Sequence, residues 1–245
     1  VELAVSLDIL YLAWNREAFT RFSFEQLLAN TDWDLVDRLV VWDDYSEDGT
    51  LDYLREAIQG CPVEHELRVG GYRSPVSIMN RFIDQYDCDV FAKIDNDVVV
   101  PPGWLSDMLT VMEANDDLEL LGMQAAFTQV RGRDPVPGGT LDHSWVPGNH
   151  IGGVGLMRRA AFTSRPPMNA GGRFGFTGWQ ERYEPVRGWI TPDLHVSCLD
   201  QIPFDPWRSL SLDYMQLGWQ RSWQPYLDDS YYWHWWPDSA KEKAA

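Results

Sequence analysis

Residues 91–105, FAKIDNDVVVPPGWL, run as an apolar strand into two carboxylates, Asp95 and Asp97, with Asn96 between them. Two acids this close repel, and burial without a partner would make each hold its proton more tightly. A divalent cation relieves both effects, and ligands that offer only oxygen suit Mg²⁺ or Mn²⁺. The plain alternative is a turn, which Asn and Asp both favour. Two more polar groups are placed in the same way. Asp43 and Asp44 close the apolar run DRLVVWDD, and Asn15 and Arg16 follow LDILYLAW.

The elements that must carry these groups alternate. LDILYLAW reads as a strand, and in NREAFTRFSFEQLLANT the residues Phe19, Phe22 and Leu27 share a helical face. DRLVVWDD is a second strand. SEDGTLDYLREAIQG follows it as a helix with Leu51, Leu54 and Ile58 on one stripe and Gly60 as its stop. HELRVGG is a third strand. In SPVSIMNRFIDQY, Ser74 can cap the helix and Pro75 suits its first turn. CDVFAKIDND is a fourth strand, and PPGWLSDMLTVMEAN is its helix, with Leu105, Met108 and Met112 inward. Such alternation predicts an α/β domain with a mostly parallel sheet flanked by helices. Ligands bind beyond the carboxyl ends of the strands in these sheets. All three polar clusters would then face one crevice.

The second half is looser. LELLGMQAAF reads as a strand, and RGRDPVPGGTLDHSWVPGNH as a Gly/Pro-rich loop, a length usually tied to function. IGGVGLMRRAAF resumes apolar structure. A single domain over 1–245 is expected, ending in an aromatic-rich segment over 201–245. Six of the 13 tryptophans lie in that last segment. They suit either a packed aromatic core or stacking against sugar or base rings.

Composition narrows the function classes. A net charge of −17, from 37 acids and 20 bases, argues against general nucleic-acid binding by phosphate neutralisation. No stretch approaches the roughly 20 apolar residues of a membrane span. The first residues carry Glu2 and Asp8 and no basic stretch, so they do not read as a signal peptide. Three cysteines without a CxxC pair fit a reducing cytoplasm and no structural zinc.

Taken together, four stretches resemble the GT-A glycosyltransferases, most closely family 2. They are LAWNREAFTRFSFEQLLANT, VVWDDYSEDGTLDYL with its Asp-Asp-x-Ser-x-Asp-Gly-Thr pattern, GGYRSPVSIMNRFI, and VFAKIDNDVVVPPGWL with its Asp-x-Asp. The resemblance covers roughly residues 5–200 and implies a GT-A, Rossmann-like fold, with about 1–115 as a nucleotide-binding half and about 116–200 as an acceptor-binding half. It implies transfer of a sugar from a nucleoside diphosphate sugar, UDP-sugars favoured, to an acceptor hydroxyl, with Mn²⁺ or Mg²⁺. Asp97 would be the direct metal ligand, and Asp95 would reach the ribose or a metal-bound water. Asp43 and Asp44 would accept from a ring N–H of the base, unless they only cap the following helix, a role Asp48 could fill instead. Ala13, Trp14, Asn15, Arg16, Asn80 and Asn96 would border the nucleotide. Arg73 would reach base or phosphate, or simply face solvent. Gly152 and Gly153 would let backbone approach the sugar closely.

Two departures from the family pattern stand out. A Glu-Asp pair, whose Asp is the base of inverting members, has its counterpart here in Gln180 and Glu181 of GFTGWQERYEPVRGW. Glu181 is therefore the candidate base, with Trp179 and Gln180 bordering the acceptor. The later metal-binding His has two candidates, His195 in ITPDLHVSCLDQ and His234 in YYWHWW. The acceptor is unidentified. Two rival classes are a nucleotidyltransferase acting on sugar phosphates and a non-catalytic carbohydrate-binding protein. The first usually needs a Gly-rich loop after the first strand, where this chain has WNREAF. The second is mostly built as a sandwich of short strands, unlike the alternation here.

Overall fold

The computed structural model describes residues 5–71, 74–125, 144–147, 150–152, 154–169, 175–191 and 195–198. Arg73, Gly153 and His234 lie outside them. So do the Trp-rich segment 201–245 and most of the long loop before residue 150. All but the last two described residues belong to one compact unit, residues 1–196.

The first half follows the expected alternation. Strand β1 (Leu7–Ala13), helix α1 (Glu17–Asn30), β2 (Arg38–Asp43), α2 (Thr50–Ala57), β3 (Glu64–Val69), α3 (Pro75–Gln85), β4 (Val90–Asp95), a short β5 (Val98–Val99) and α4 (Trp104–Glu113) succeed one another. Then come β6 (Leu120–Gly122), β7 (Gln124–Ala125), β8 (Ser144–Pro147), β9 (Gly155–Arg158), α5 (Arg159–Thr163), α6 (Gly175–Tyr183), β10 (Arg187–Thr191) and β11 (His195–Cys198). The main sheet has the order β3-β2-β1-β4-β9-β6-β10-β8. Its first four strands are mutually parallel, and β9 and β8 run antiparallel to their neighbours. A smaller sheet orders β5-β11-β7.

The period of two along β1 divides the core. Leu10 and Leu12 join Val40, Trp42, Phe82, Phe91 and Phe162 in one cluster. On the intervening period Tyr11 meets Phe24 edge-on, with ring centroids 5.0 Å apart, and Phe24 meets Tyr53 at 6.4 Å. Helix α3 begins as expected: the Ser74 hydroxyl accepts from the Ser77 N–H at 3.2 Å, with Pro75 in the first turn. In α1 the buried stripe is Phe19, Thr20, Ser23, Phe24 and Leu27. Phe22, expected on that stripe, is only half-buried, because Ser23 occupies the position four residues on from Phe19.

The single strand expected over LELLGMQAAF is two. It breaks at Met123, and β6 and β7 enter different sheets. Gly122 explains part of the crowding, since a Cβ there would lie 2.8 Å from Trp189 and 2.9 Å from Ile151.

Candidate active site

The register of the parallel strands brings the acids to one edge. Ala13 pairs with Asp43 across β1 and β2, and Leu12 pairs with Asp95 across β1 and β4. Adjacent strands lie about 4.8 Å apart, so Asp43 and Asp95 flank the end of β1. The chain leaves β1 through two consecutive left-handed residues, Asn15 (φ 51°) and Arg16 (φ 63°). That conformation is uncommon without glycine, though Asn tolerates it.

Asn15 is what fixes this turn. Its N–H donates to the Ser46 hydroxyl at 2.8 Å, its side-chain oxygen accepts from the Glu47 N–H at 2.8 Å, and its carbonyl accepts from Asn96 Nδ2 at 2.8 Å. Asn96 is buried, and Nδ2 also reaches Thr20 Oγ1 at 2.8 Å. Asn15 and Asn96 therefore tie together the loops after β1, β2 and β4. Expected among the nucleotide's contacts, they have their amides engaged within the protein.

Asp43 is fully buried. Oδ2 accepts from the Ser46 N–H at 2.9 Å, while Oδ1 is buried with no hydrogen-bond partner among the described residues. Burial pushes the carboxyl above its usual range, and the hydrogen bonds from Ser46 oppose this. The capping role proposed as its alternative belongs to Asp48, which accepts from the Thr50 N–H at 2.9 Å and the Glu17 N–H at 3.1 Å. Asp44 is buried, and its N–H donates to the Ala13 carbonyl at 2.8 Å. Gly71 must be glycine here, since a Cβ would come within 2.8 Å of Asp44 Oδ1 and 2.5 Å of Ile78. Beside these acids Trp14 and Tyr45 are exposed.

Both acids of the Asp-x-Asp turn have counter-ions. Lys93 Nζ lies 2.6 Å from Asp95 Oδ1, and Arg16 Nη1 lies 2.6 Å from Asp97 Oδ2. Burial raises the Asp95 carboxyl, Lys93 lowers it, and Asp97 raises it again. Lys93 had a readable signal: it is the one charge inside an apolar strand, two residues before Asp95 and so on the same face. Among the described residues no three His, Cys, Asp or Glu side chains converge as a closed metal cage. Two hard carboxylates at a strand end do fit a cation that arrives with phosphate oxygens and water, for which one or two protein ligands suffice.

Helix α6 carries the remaining candidates. Gln180 is fully buried, and its amide brackets Ile151: Oε1 accepts from the Ile151 N–H at 2.8 Å and Nε2 donates to its carbonyl at 3.0 Å. The chain then runs four residues to Gly155, which pairs with Lys93 near the carboxyl end of β4. Glu181, next to Gln180, is exposed. Gly152 has open space where a Cβ would be. His195 opens β11 opposite Gln124, with only its backbone described.

Three further candidate residues make their contacts within the protein. Trp179 is buried, stacks on Phe162 at 4.7 Å and donates from Nε1 to the Pro166 carbonyl at 2.9 Å. Gln180 is spent on Ile151. The Asn80 amide exchanges two hydrogen bonds with the Met168 backbone, at 2.8 and 3.1 Å. Asn80 and Trp179 border a groove of about 540 Å³ between α3 and α5. Helix α5 follows Arg158, which pairs with Val90 at the start of β4, so it begins at the edge opposite Asp95.

Comparison with known proteins agrees with this layout. The mannosyltransferase PcManGT from Pyrobaculum calidifontis, solved with GDP-Man and Mn²⁺, matches with a TM-score of 0.62 at 13% identity. The match covers 88% of this chain but 64% of that one, so the chain spans under two thirds of that enzyme's length. S. aureus TarS 1–349 matches with a TM-score of 0.57 at 11% identity, over 89% of this chain and 73% of that one. Glucosyl-3-phosphoglycerate synthase from Mycobacterium tuberculosis, in complex with phosphoglyceric acid, gives 0.51 at 16% identity, over 76% and 69%. At these identities the likeness establishes the GT-A fold. No curated protein matches the sequence. The sequence profile of Glycosyl transferase family 2 matches residues 8–162, well over half of the chain, from the start of β1 through α5. The chain belongs to glycosyltransferase family 2.

Proposed function

We propose that this chain transfers a sugar, with inversion, from a nucleoside diphosphate sugar to an acceptor hydroxyl, and that UDP-sugars are its donors. One observation carries the reading: the buried, unpartnered Asp43 Oδ1 sits on the same strand edge as the Asp95–Asp97 turn. A buried charged acceptor without a donor is costly, and a ring N–H such as that of uracil would satisfy it. Asp44 and the exposed Trp14 and Tyr45 would border the base, the aromatic faces supplying apolar contact. The cleaved bond joins the anomeric carbon to the diphosphate, which gains negative charge as it leaves. A bound Mn²⁺ or Mg²⁺ would stabilise that charge. Asp97 would hold the cation, since its counter-ion Arg16 is partly exposed on a loop, whereas Asp95 is held by the buried Lys93. Glu181 would accept the acceptor's proton, with His195 and His234 as further candidate metal ligands. The described part of the nucleotide half precedes β6, and the segments after it would serve the acceptor. Buried free thiols at Cys61 and Cys88 suit the cytoplasm. Among the described residues no helix is long and apolar enough to cross a membrane.

The test is a thermal-shift screen of nucleotide sugars with and without Mn²⁺, followed by a transfer assay on each donor that binds. A matched donor with Mn²⁺ raises Tm by mass action, and Asp97→Asn abolishes both this shift and transfer. Equal turnover by parent and Asp97→Asn refutes the metal assignment. Pyrophosphate release from a nucleoside triphosphate and a sugar phosphate would favour the nucleotidyltransferase instead.

A further inference from the structure

The two carboxylates of the Asp95–Asp97 turn are neutralised in different ways. Lys93 reaches Asp95 from inside β4: it is 5% exposed, and its backbone lies between Leu10 of β1 and Gly155 of β9. Arg16 reaches Asp97 from a loop. The pair is 2.6 Å apart, and the two side chains keep 23% and 22% of their surface open to solvent. The guanidinium also rests 5.9 Å from the centre of the Phe19 ring. A buried ammonium on a central strand has one position, whereas a guanidinium at the rim has alternatives.

We propose that Arg16 is an exchangeable counter-ion: it occupies Asp97 in the free protein and passes to the diphosphate when a divalent cation takes that carboxylate. This rests on the donor-and-cation reading above. A guanidinium and a divalent cation on one carboxylate repel each other at short range. A diphosphate offers Arg16 a replacement, because phosphate oxygens match the guanidinium fork. A cation alone must compete with Arg16 for Asp97, with no diphosphate to draw the guanidinium away. With a nucleoside diphosphate present the displaced charge is taken up at once. Cation and nucleotide are therefore linked, each strengthening the other's binding by the same factor. Lys93 holds Asp95 throughout and takes no part in the exchange.

Calorimetric titration of Mn²⁺ into the full chain, alone and with saturating UDP or GDP, tests this in the parent, Arg16→Ala and Arg16→Gly. Glycine adopts the φ of 63° at this position freely, so the second variant keeps the loop if alanine disturbs it. Mn²⁺ alone should bind both variants about tenfold more tightly than the parent, the scale of a partly exposed charge-assisted bond. The gain in Mn²⁺ affinity on adding nucleotide should shrink by a similar factor. If nucleotide strengthens Mn²⁺ binding to the parent, yet neither variant binds Mn²⁺ alone more tightly, the exchange is overturned and the donor reading stands. If neither nucleotide changes Mn²⁺ binding to the parent, the donor-and-cation reading fails and the exchange fails with it.

Discussion

Replacing Asp43 by Asn separates a binding role from a structural one, because the two effects have opposite signs. The side-chain oxygen of Asn can keep the bond from the Ser46 N–H, which the carboxylate accepts at 2.9 Å. Its Nδ2 then stands where the unpartnered Oδ1 stood, and it meets a ring N–H donor to donor. A hydrogen bond to a charged group is worth about 1.5–3 kcal/mol, so nucleotide affinity should fall roughly 10- to 150-fold at about 1.4 kcal/mol per decade. The unliganded protein should move the other way. Burial raises the Asp43 carboxyl above its ordinary value, so its contribution to stability is greatest below the unfolded pKa and is lost as pH rises through the folded one. Asn has no charge to bury, so the variant should melt at a higher temperature than the parent at pH 7.5. The assays are calorimetry with UDP and thermal melts of the free chain. Unchanged UDP affinity would show that Asp43 does not hold the base, and a lower melting temperature would show that its charge is satisfied in the free protein.

Three other outcomes are expected. Glu181→Gln should lower kcat by about 10²–10⁴-fold with little change in KM, measured on any accepted donor and acceptor, and parent-like turnover would move the base elsewhere. Gln180→Glu loses the donor that satisfies the Ile151 carbonyl and should lower stability by roughly 1–3 kcal/mol in denaturant melts, where an unchanged midpoint would refute the clamp. Asp8 is buried beside Arg38, and burial pushes its carboxyl to about 6. This rise from 3.8 to about 6 should remove about 3 kcal/mol of stability as pH climbs through that interval, at 1.36 kcal/mol per unit. Asp8→Asn should therefore match the parent near pH 4 and exceed it at pH 7.5, and parallel curves would refute the assignment.

What was legible in the sequence is what depends on local periodicity. The strand ends that carry Asp43, Asp95 and Asp97, the Ser74 cap and the inward face of α4 all follow from patterns a few residues long. The counter-ion of Asp97 does not, since Arg16 is 81 residues away and only the β1–β4 pairing brings them together. Polar residue type does not reveal partners either. Asn15, Asn80 and Asn96 stand beside acids and glycines, and each makes amide hydrogen bonds within the protein, because an amide carries both donor and acceptor, which is what joining two loops requires. The residues around the candidate base differ for a geometric reason. Successive side chains on a helix are rotated by about 100°, so Trp179, Gln180 and Glu181 face different surroundings. Two turn inward and the third is left exposed.

The candidate residues have different mechanical support. Asp43, Asp95 and Asp97 are held by main-chain ladders between β2, β1 and β4 and by the three-loop junction at Asn15, so they are fixed by many bonds at once. Glu181 stands on a helix whose described polar tie to the segment before β9 is the Gln180–Ile151 clamp. An error of about 1 Å in a reacting group can cost about 100-fold in rate. If Glu181 is the base, its precision therefore depends on Gln180. Loss of that clamp should then lower kcat through displacement of Glu181 while nucleotide affinity, which the proposed function assigns to the edge of β2, β1 and β4, stays near that of the parent.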